Sequence, residues 1–381
     1  MWKQSRYAGK AVGFAPILPE DDYLHPVAEG AHYSTVETYL CGFNIPHEDI
    51  NCNIYLLWHH VLKTMQMHVF VYRGARMLPH QLAADYLCDH QFLPVGDSAS
   101  EFSFTMGSCA VHMKIVKPLD EMLIELDDPQ RDFALRLEYR AAMPPVGRPG
   151  GHHFTQLMKT KGTLKLDGRD YVIDGFYMRD RSWGYQRPEQ PERTPPYRWI
   201  TGWFTEPPGQ AEGLTHRPRG SSQSWDGPAI DLSPVGGFVL AWIDTGLLDG
   251  EAFGPDWNRV IGGPDGEGVN KWESGGQTPS LNLRSGWFTL NGKPRPVVRL
   301  DVRTLLADGS AYLTKGIEME IEDDTGAVHQ VTGETTSMIP KMYWQTMLTY
   351  MHAMKLTCGG RSGNGDLMDT YSGYHIRKFG L

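Results

Sequence analysis

The stretch 133–141 constrains the fold more than any other: Phe133, Leu135, Leu137 and Tyr139 alternate with Arg136, Glu138 and Arg140. A period of two sends successive side chains to opposite faces, so this is a strand with one buried and one wet face, as in an antiparallel sheet. Residues 102–106, 110–116 and 122–126 precede it at short spacing and extend the same sheet. Residues 53–73 (NIYLLWHHVLKTMQMHVFVYR) read as two buried strands around a turn at His60 to Lys63, being rich in β-branched and aromatic residues. Asp167-Gly168, inside 163–173, is a turn dipeptide whose positive φ angles match the twist of a two-stranded ribbon.

Further along, 197–205 and 237–244 are strand-like, and 297–305, 311–322 and 328–335 form a meander joined at Asp308-Gly309 and Asp324-Thr325-Gly326. Two segments, 206–234 and 248–286, are rich in Gly, Pro and Ser and read as long loops. Only 79–89 predicts a helix, with Leu82, Tyr86 and Cys88 roughly on one side, while 342–356 has both helical spacing and a strand-like setting and is left unassigned. The Gly-rich stretch 359–365 reads as a turn. With 381 residues, 42 Gly and 26 Pro, the chain is too long for one core and too rich in turns for a helical fold. The expectation is an all-β chain of two successive domains, 1–205 and 206–381.

A net charge of −9 and a pI near 5.9 supply no basic stripe for a nucleic-acid backbone. The first 22 residues lack the apolar stretch of a signal peptide, and no apolar run has the length of a membrane-spanning helix. Five scattered cysteines without CxxC spacing predict neither a disulfide framework nor a zinc knuckle, which fits a reduced cytoplasm. Dinucleotide, NTP, zincin and α/β-hydrolase motifs are absent from the sequence. The pairs His59-His60 and His152-His153 invite a metal, but neighbours on a strand face opposite ways, so each pair offers one ligand to a given site. No metal or organic cofactor is expected. The expected partner is a small hydrophobic or aromatic substrate, with homodimerisation left open.

The segment 175–184 (GFYMRDRSWG) carries the chemistry. In an extended chain Met178, Asp180 and Ser182 share one face, and Arg179, Arg181 and Trp183 the other. A carboxyl among apolar and aromatic neighbours is desolvated and held protonated, which suits a general acid; pairing with Arg179 or Arg181 would instead hold it ionised. Both readings remain open at this point.

The Asp180-x-x-Trp183-Gly184 pattern after a hairpin, with the ending Gly360-Arg361-Ser362-Gly363-x-Gly365, resembles the lipocalin-like proteins related to the carotenoid hydratases, the hydroxyneurosporene synthase family. The resemblance covers about 159–205 and extends toward the C-terminus. It implies two lipocalin-like antiparallel β-barrel or sandwich domains with few short helices. It also implies an acidic residue that protonates a carbon–carbon double bond, here Asp180, and an upstream histidine that handles water, here His153 with His152 as fallback. Met178 and Thr155 stand where the hydratases carry aromatic residues, which widens the range of reactions.

Aromatic faces are plentiful and suit a developing cation or a stacked ring. The expected substrate-binding set is Trp58, His60, Trp183, Trp199, Trp203, Tyr343 and Trp344, and Arg181 and Tyr185 are expected to position the reacting group beside Asp180 and His153. These residues lead to a cofactor-independent lyase or hydratase acting by acid–base chemistry on a terpenoid or phenolic, lignin-like molecule, through hydration, dehydration or retro-aldol C–C cleavage. A non-catalytic carrier of an apolar ligand, or an isomerase or pericyclase, are the alternatives; Asp180→Asn separates them.

Overall fold

The computed structural model describes residues 2–92, 100–186, 197–205, 236–244, 281–307, 313–343 and 347–372. The expected loops at 206–234 and 248–280, the Asp308-Gly309 turn and Trp344 lie outside the described residues. The first strand, β1 (Trp2–Ala8), belongs to the second of two antiparallel sheets. The first sheet contains β2 (Thr35–Ile45), β3 (Ile50–His59), β4 (Thr64–Arg73), β5 (Ala84–Phe92), β6 (Glu101–Met106), β7 (Cys109–Lys117), β8 (Glu121–Asp128) and β9 (Phe133–Ala141). It is completed by the short β10 (Val146–Gly147), β11 (His153–Leu166) and β12 (Arg169–Gln186), in the order β5-β4-β3-β2-β12-β11-β9-β8-β7-β6 with β10 on β11.

This sheet curls on itself. Trp58 of β3 packs on Phe102 of β6, and Tyr86 of β5 packs on Phe133 and donates to Asp128 at 3.1 Å, so strands far apart in the order share one interior. The alternation at 133–141 fixes which side is inside: Phe133, Leu135, Leu137 and Tyr139 are buried, whereas Arg136 and Glu138 are exposed. At Asp167-Gly168 both residues have positive φ, 52° and 71°, and close the β11–β12 hairpin as its dipeptide requires.

The second sheet contains β13 (Tyr197–Thr205), β14 (Gly236–Asp244), β15 (Leu281–Thr289), β16 (Arg295–Leu306), β17 (Thr314–Asp323), β18 (Val328–Tyr343), β19 (Met347–Cys358) and β20 (Arg361–Ser372). Its order is β1-β16-β15-β14-β13-β20-β19-β18-β17, and pairing of β16 with β17 closes the ring. The chain is therefore all-β, with two successive lipocalin-like barrels and, among the described residues, only short 3-10 segments as helix. Both β1 and β13, from the span 1–205, pair within the second barrel. No helix among the described residues is long and apolar enough to cross a membrane.

The two barrels meet across an apolar seam. On β2, Tyr39, Cys41 and Phe43 point into the first barrel, whereas Val36 and Leu40 join a second cluster with Tyr55, Leu57, Phe70, Leu157 and Met178 of the first barrel and Trp199, Trp203, Trp287, Ile339 and Met351 of the second. Each such side chain removed from water contributes about 1.5–3 kcal/mol. One end of the seam is stitched by hydrogen bonds: Arg76 N to Met338 O (2.7 Å), Met338 N to Gly74 O (3.2 Å) and Gly74 N to Ser337 Oγ (3.1 Å).

Three expectations need correction, and one open stretch is settled. Residues 79–89 are not a helix: only Pro79–Gln81 make a 3-10 turn, and β5 follows, with Tyr86 and Cys88 buried and Leu87 exposed, because pairing with β4 outweighs local helical spacing. In the stretch left open, Met342 and Tyr343 end β18 and 347–356 belong to β19. The end of the expected loop at 248–286 is instead the start of β15, drawn into the sheet by pairing with β14. Of the Gly-rich stretch, only Gly359 and Gly360 turn, with φ of 56° and 81°; Gly363 and Gly365 sit in β20, where an added Cβ would meet the Trp203 and Thr201 carbonyls at 1.6 and 2.0 Å. Glycine here serves close strand contact with β13.

Candidate active site

Strand β12 separates two polar groups onto opposite faces. Asp180 lies directly across from Thr155 of β11 and Leu40 of β2, on the face turned to the second barrel. His153, at the start of β11, reaches the same face, and its Nε2 is 2.6 Å from Asp180 Oδ1. His153 is buried, whereas the Asp180 side chain keeps 16% of its surface, so the carboxyl is the more accessible of the two. A tight turn sets the histidine: Gly150, Gly151 and His152 have φ of 90°, 79° and 59°, Gly151 N donates to Arg148 O, and Arg148 N donates to His153 O, both at 2.9 Å. The left-handed backbone at His152, costly for a residue with a Cβ, is held by Trp183 N donating to its carbonyl at 3.0 Å. The same turn brings Arg148 Nη2 within 3.2 Å of His153 Nε2.

The second barrel supplies one wall. Trp287 of β15 donates from Nε1 to Thr155 Oγ1 at 2.9 Å, beside Asp180, and Trp199 and Trp203 belong to the same seam. At Thr155, where an aromatic residue is missing from the sequence pattern, an indole arrives from the other barrel.

On the opposite face, Arg179 and Arg181 point into the first barrel. Arg179 donates to both oxygens of Asp22 (2.7 and 3.1 Å) and to Gln156 Oε1, and Arg181 bonds Glu37 Oε2 (3.2 Å) and the Tyr23, Thr38 and Ser182 carbonyls. Their carboxylate partners are thus Asp22 and Glu37. Glu37 also meets His25 Nδ1 at 2.5 Å and His60 Nε2 at 3.0 Å. Burial pushes the Glu37 carboxyl up, but the Arg181 charge and the two histidine contacts outweigh it and hold the carboxyl at about 2. Trp183 covers this cluster, stacking on the His25 ring at 4.7 Å and 10°. Gly184, with φ 72°, forms the bulge that shifts the register between Ser182 and Tyr185, which explains the Trp-Gly pair in the motif.

Of the residues singled out in the sequence, His153, Asp180, Trp199 and Trp203 come to the seam. Arg181 does not: alternation along β12 turns it away from Asp180. Tyr185 donates to Gly151 O at 3.3 Å and so braces the turn that carries His153. Trp58 is interior to the first barrel, edge-on to Tyr39, and His60 and Trp183 serve the Glu37 cluster. His152 tilts against Trp183, 5.8 Å away. Tyr343 closes β18, and Trp344 lies outside the described residues.

Sequence reasoning missed Arg148, Glu37, His25 and Asp366, and counted Trp287 among the aromatic residues without placing it in the binding set. The Gly150-Gly151 pair was a legible turn signal for Arg148; contacts across barrels left none. Asp366 of β20 is buried in the seam with Asn44 Nδ2 at 3.3 Å and the Tyr177 hydroxyl, both neutral, and burial pushes its carboxyl up to about 6 despite those bonds.

Comparison with known proteins supports the architecture. Residues 18–207 match a domain of unknown function, DUF7064. The match includes His153, Asp180 and the Glu37 cluster. A crystal structure provisionally described as AttH of Nitrosomonas europaea is 11% identical, covering 94% of this chain and 99% of its own, with a TM-score of 0.51; the likeness is one of fold. Kievitone hydratase of Nectria haematococca is 8% identical over 96% of this chain and 98% of its own, with a TM-score of 0.47. No curated protein matches the chain by sequence.

Proposed function

We propose that the chain is an acid–base enzyme of the lyase or hydratase type, acting on an apolar terpenoid or phenolic molecule in the seam between the barrels. The contact of His153 Nε2 with Asp180 Oδ1, 2.6 Å on the face turned to that seam, carries the reading. Arg148 Nη2 lies 3.2 Å from the same nitrogen. In the proposed cycle Asp180 starts as the carboxylic acid and His153 as the neutral base, and their contact lets the proton pass back from His153 to Asp180 after each turnover. Asp180 is the acid that protonates the substrate; His153 takes a proton from water, or from a substrate hydroxyl in the reverse or retro-aldol direction. Positioned proton transfer of this kind contributes on the order of 10² to 10⁴ in rate. Trp287, Trp199 and Trp203 offer faces to a cationic or aromatic intermediate. These steps draw on the chain's own side chains.

The test is a mass-spectrometric screen of the purified protein against mixed terpenoid and lignin-derived phenolic extracts. Gain or loss of water, or loss of a one-carbon fragment, abolished in Asp180→Asn, is the expected result. Ligand recovered unchanged makes the chain a carrier, and altered retention at constant mass makes it an isomerase.

A further inference from the structure

The strand register sets Asp180 in a row that crosses the first barrel. Thr155, Asp180, Leu40, Tyr55 and His68 are successive direct partners on β11, β12, β2, β3 and β4. Direct partners share a face, and Leu40 and Tyr55 belong to the seam cluster, so the whole row faces the second barrel. Asp180 and His68 are three strand spacings apart, about 14 Å. At the His68 end a second polar group waits. Asp85 of β5 takes His68 Nε2 at 2.8 Å on one oxygen and Lys341 Nζ of β18 at 2.7 Å on the other. Lys341 is two residues along β18 from Ile339, a seam residue, and so shares its face, and its ammonium stands 5.8 Å over the Phe70 ring.

The exposures in this group are unequal. The Lys341 side chain is 9% exposed and its counter-ion Asp85 41% exposed. A cation left alone in such a place costs several kcal/mol, whereas a carboxylate that already reaches water leaves for solvent cheaply. Burial keeps His68 toward its neutral form, against the pull of Asp85, so Lys341 is the charge at this end that needs balancing. An incoming carboxylate can replace Asp85 on Lys341 without stranding it.

We propose that Lys341 recognises a carboxylate on an elongated apolar substrate, whose reacting carbon then lies at Asp180, at the other end of a row that runs about 14 Å from His68. The assignment rests on the reading of Asp180 and His153 as the reacting end. It limits the substrate class to apolar acids whose length spans the seam.

Fluorescence titration with dansylaminoundecanoic acid and its methyl ester tests this without turnover. The full-length wild type is expected to bind the acid at least about tenfold tighter, the size of one charge-assisted hydrogen bond. Lys341→Met brings acid and ester to parity, Lys341→Arg keeps the preference, and Asp180→Asn leaves it unchanged. Should Lys341→Met fail to fold, Asp85→Asn serves: removing the competing carboxylate strengthens acid binding severalfold. Equal binding of acid and ester by the wild type, a preference that survives Lys341→Met, or no gain in Asp85→Asn overturns the proposal. Loss of turnover in Asp180→Asn reports on the catalytic reading separately.

Discussion

Replacing Glu37 by Gln removes the only charge-bearing oxygens that Arg181 meets among its contacts described above, and leaves that guanidinium, fully buried, with neutral neighbours at those contacts, carbonyl oxygens and the Tyr39 ring. The structure sets the magnitude. A carboxyl lowered from 4.5 to about 2 corresponds to about 3 kcal/mol at 1.36 kcal/mol per unit, within the range of about 3–5 kcal/mol for breaking a buried pair. A depressed acid stabilises the fold above its unfolded value and loses that contribution as pH falls. The full effect therefore holds at pH 7, begins to fade below about 4.5, and is down to about 1.5 kcal/mol at pH 3. Urea unfolding of wild type and Glu37→Gln at both pH values measures it as a gap in midpoint at constant slope. His25 and His60 share the carboxylate, so their double replacement by Gln should narrow the pH dependence. A gap that is the same at pH 7 and pH 3, or no gap at all, refutes the electrostatic account of this cluster.

Asp366→Asn should act in the opposite sense. A carboxyl raised to about 6 by burial penalises the fold once pH exceeds the unfolded value near 3.8, so the amide stabilises by up to about 3 kcal/mol at pH 7.5 and by little at pH 4, read from urea midpoints. Gly184→Ala forces a Cβ into a left-handed position and should cost about 1–2 kcal/mol, with turnover reduced because the bulge follows Asp180 closely on β12. Trp287→Phe removes the hydrogen bond to Thr155 and should cost about 1 kcal/mol in unfolding experiments, with a larger effect on turnover than on stability.

Much of the architecture is written in local pattern. The alternation at 133–141, the hairpin at Asp167-Gly168 and the turn before Lys63 all appear where the sequence puts them, because period-two burial and two-residue turns are decided within a few residues. Strand β5 is hidden from such reading because its register is imposed by β4, and Gly363 and Gly365 mislead because close approach to β13 is a tertiary demand. The site shows the same division. Alternation along 178–183 correctly separates Asp180 from Arg181, yet it gives no hint that Arg179 and Arg181 are satisfied by Asp22 and Glu37, which lie more than a hundred residues away. Arg181 is expected beside the reacting group although the same alternation turns it away, and nothing local shows that Trp287, from the other barrel, meets Thr155.

The most direct test of the central claim is turnover of a substrate found in the screen, run in deuterated water with wild type, Asp180→Asn and His153→Gln at matched thermal stability. The account predicts deuterium at the protonated carbon of the wild-type product and loss of product by on the order of 10² or more in both variants. Product formed by Asp180→Asn at the wild-type rate would contradict it.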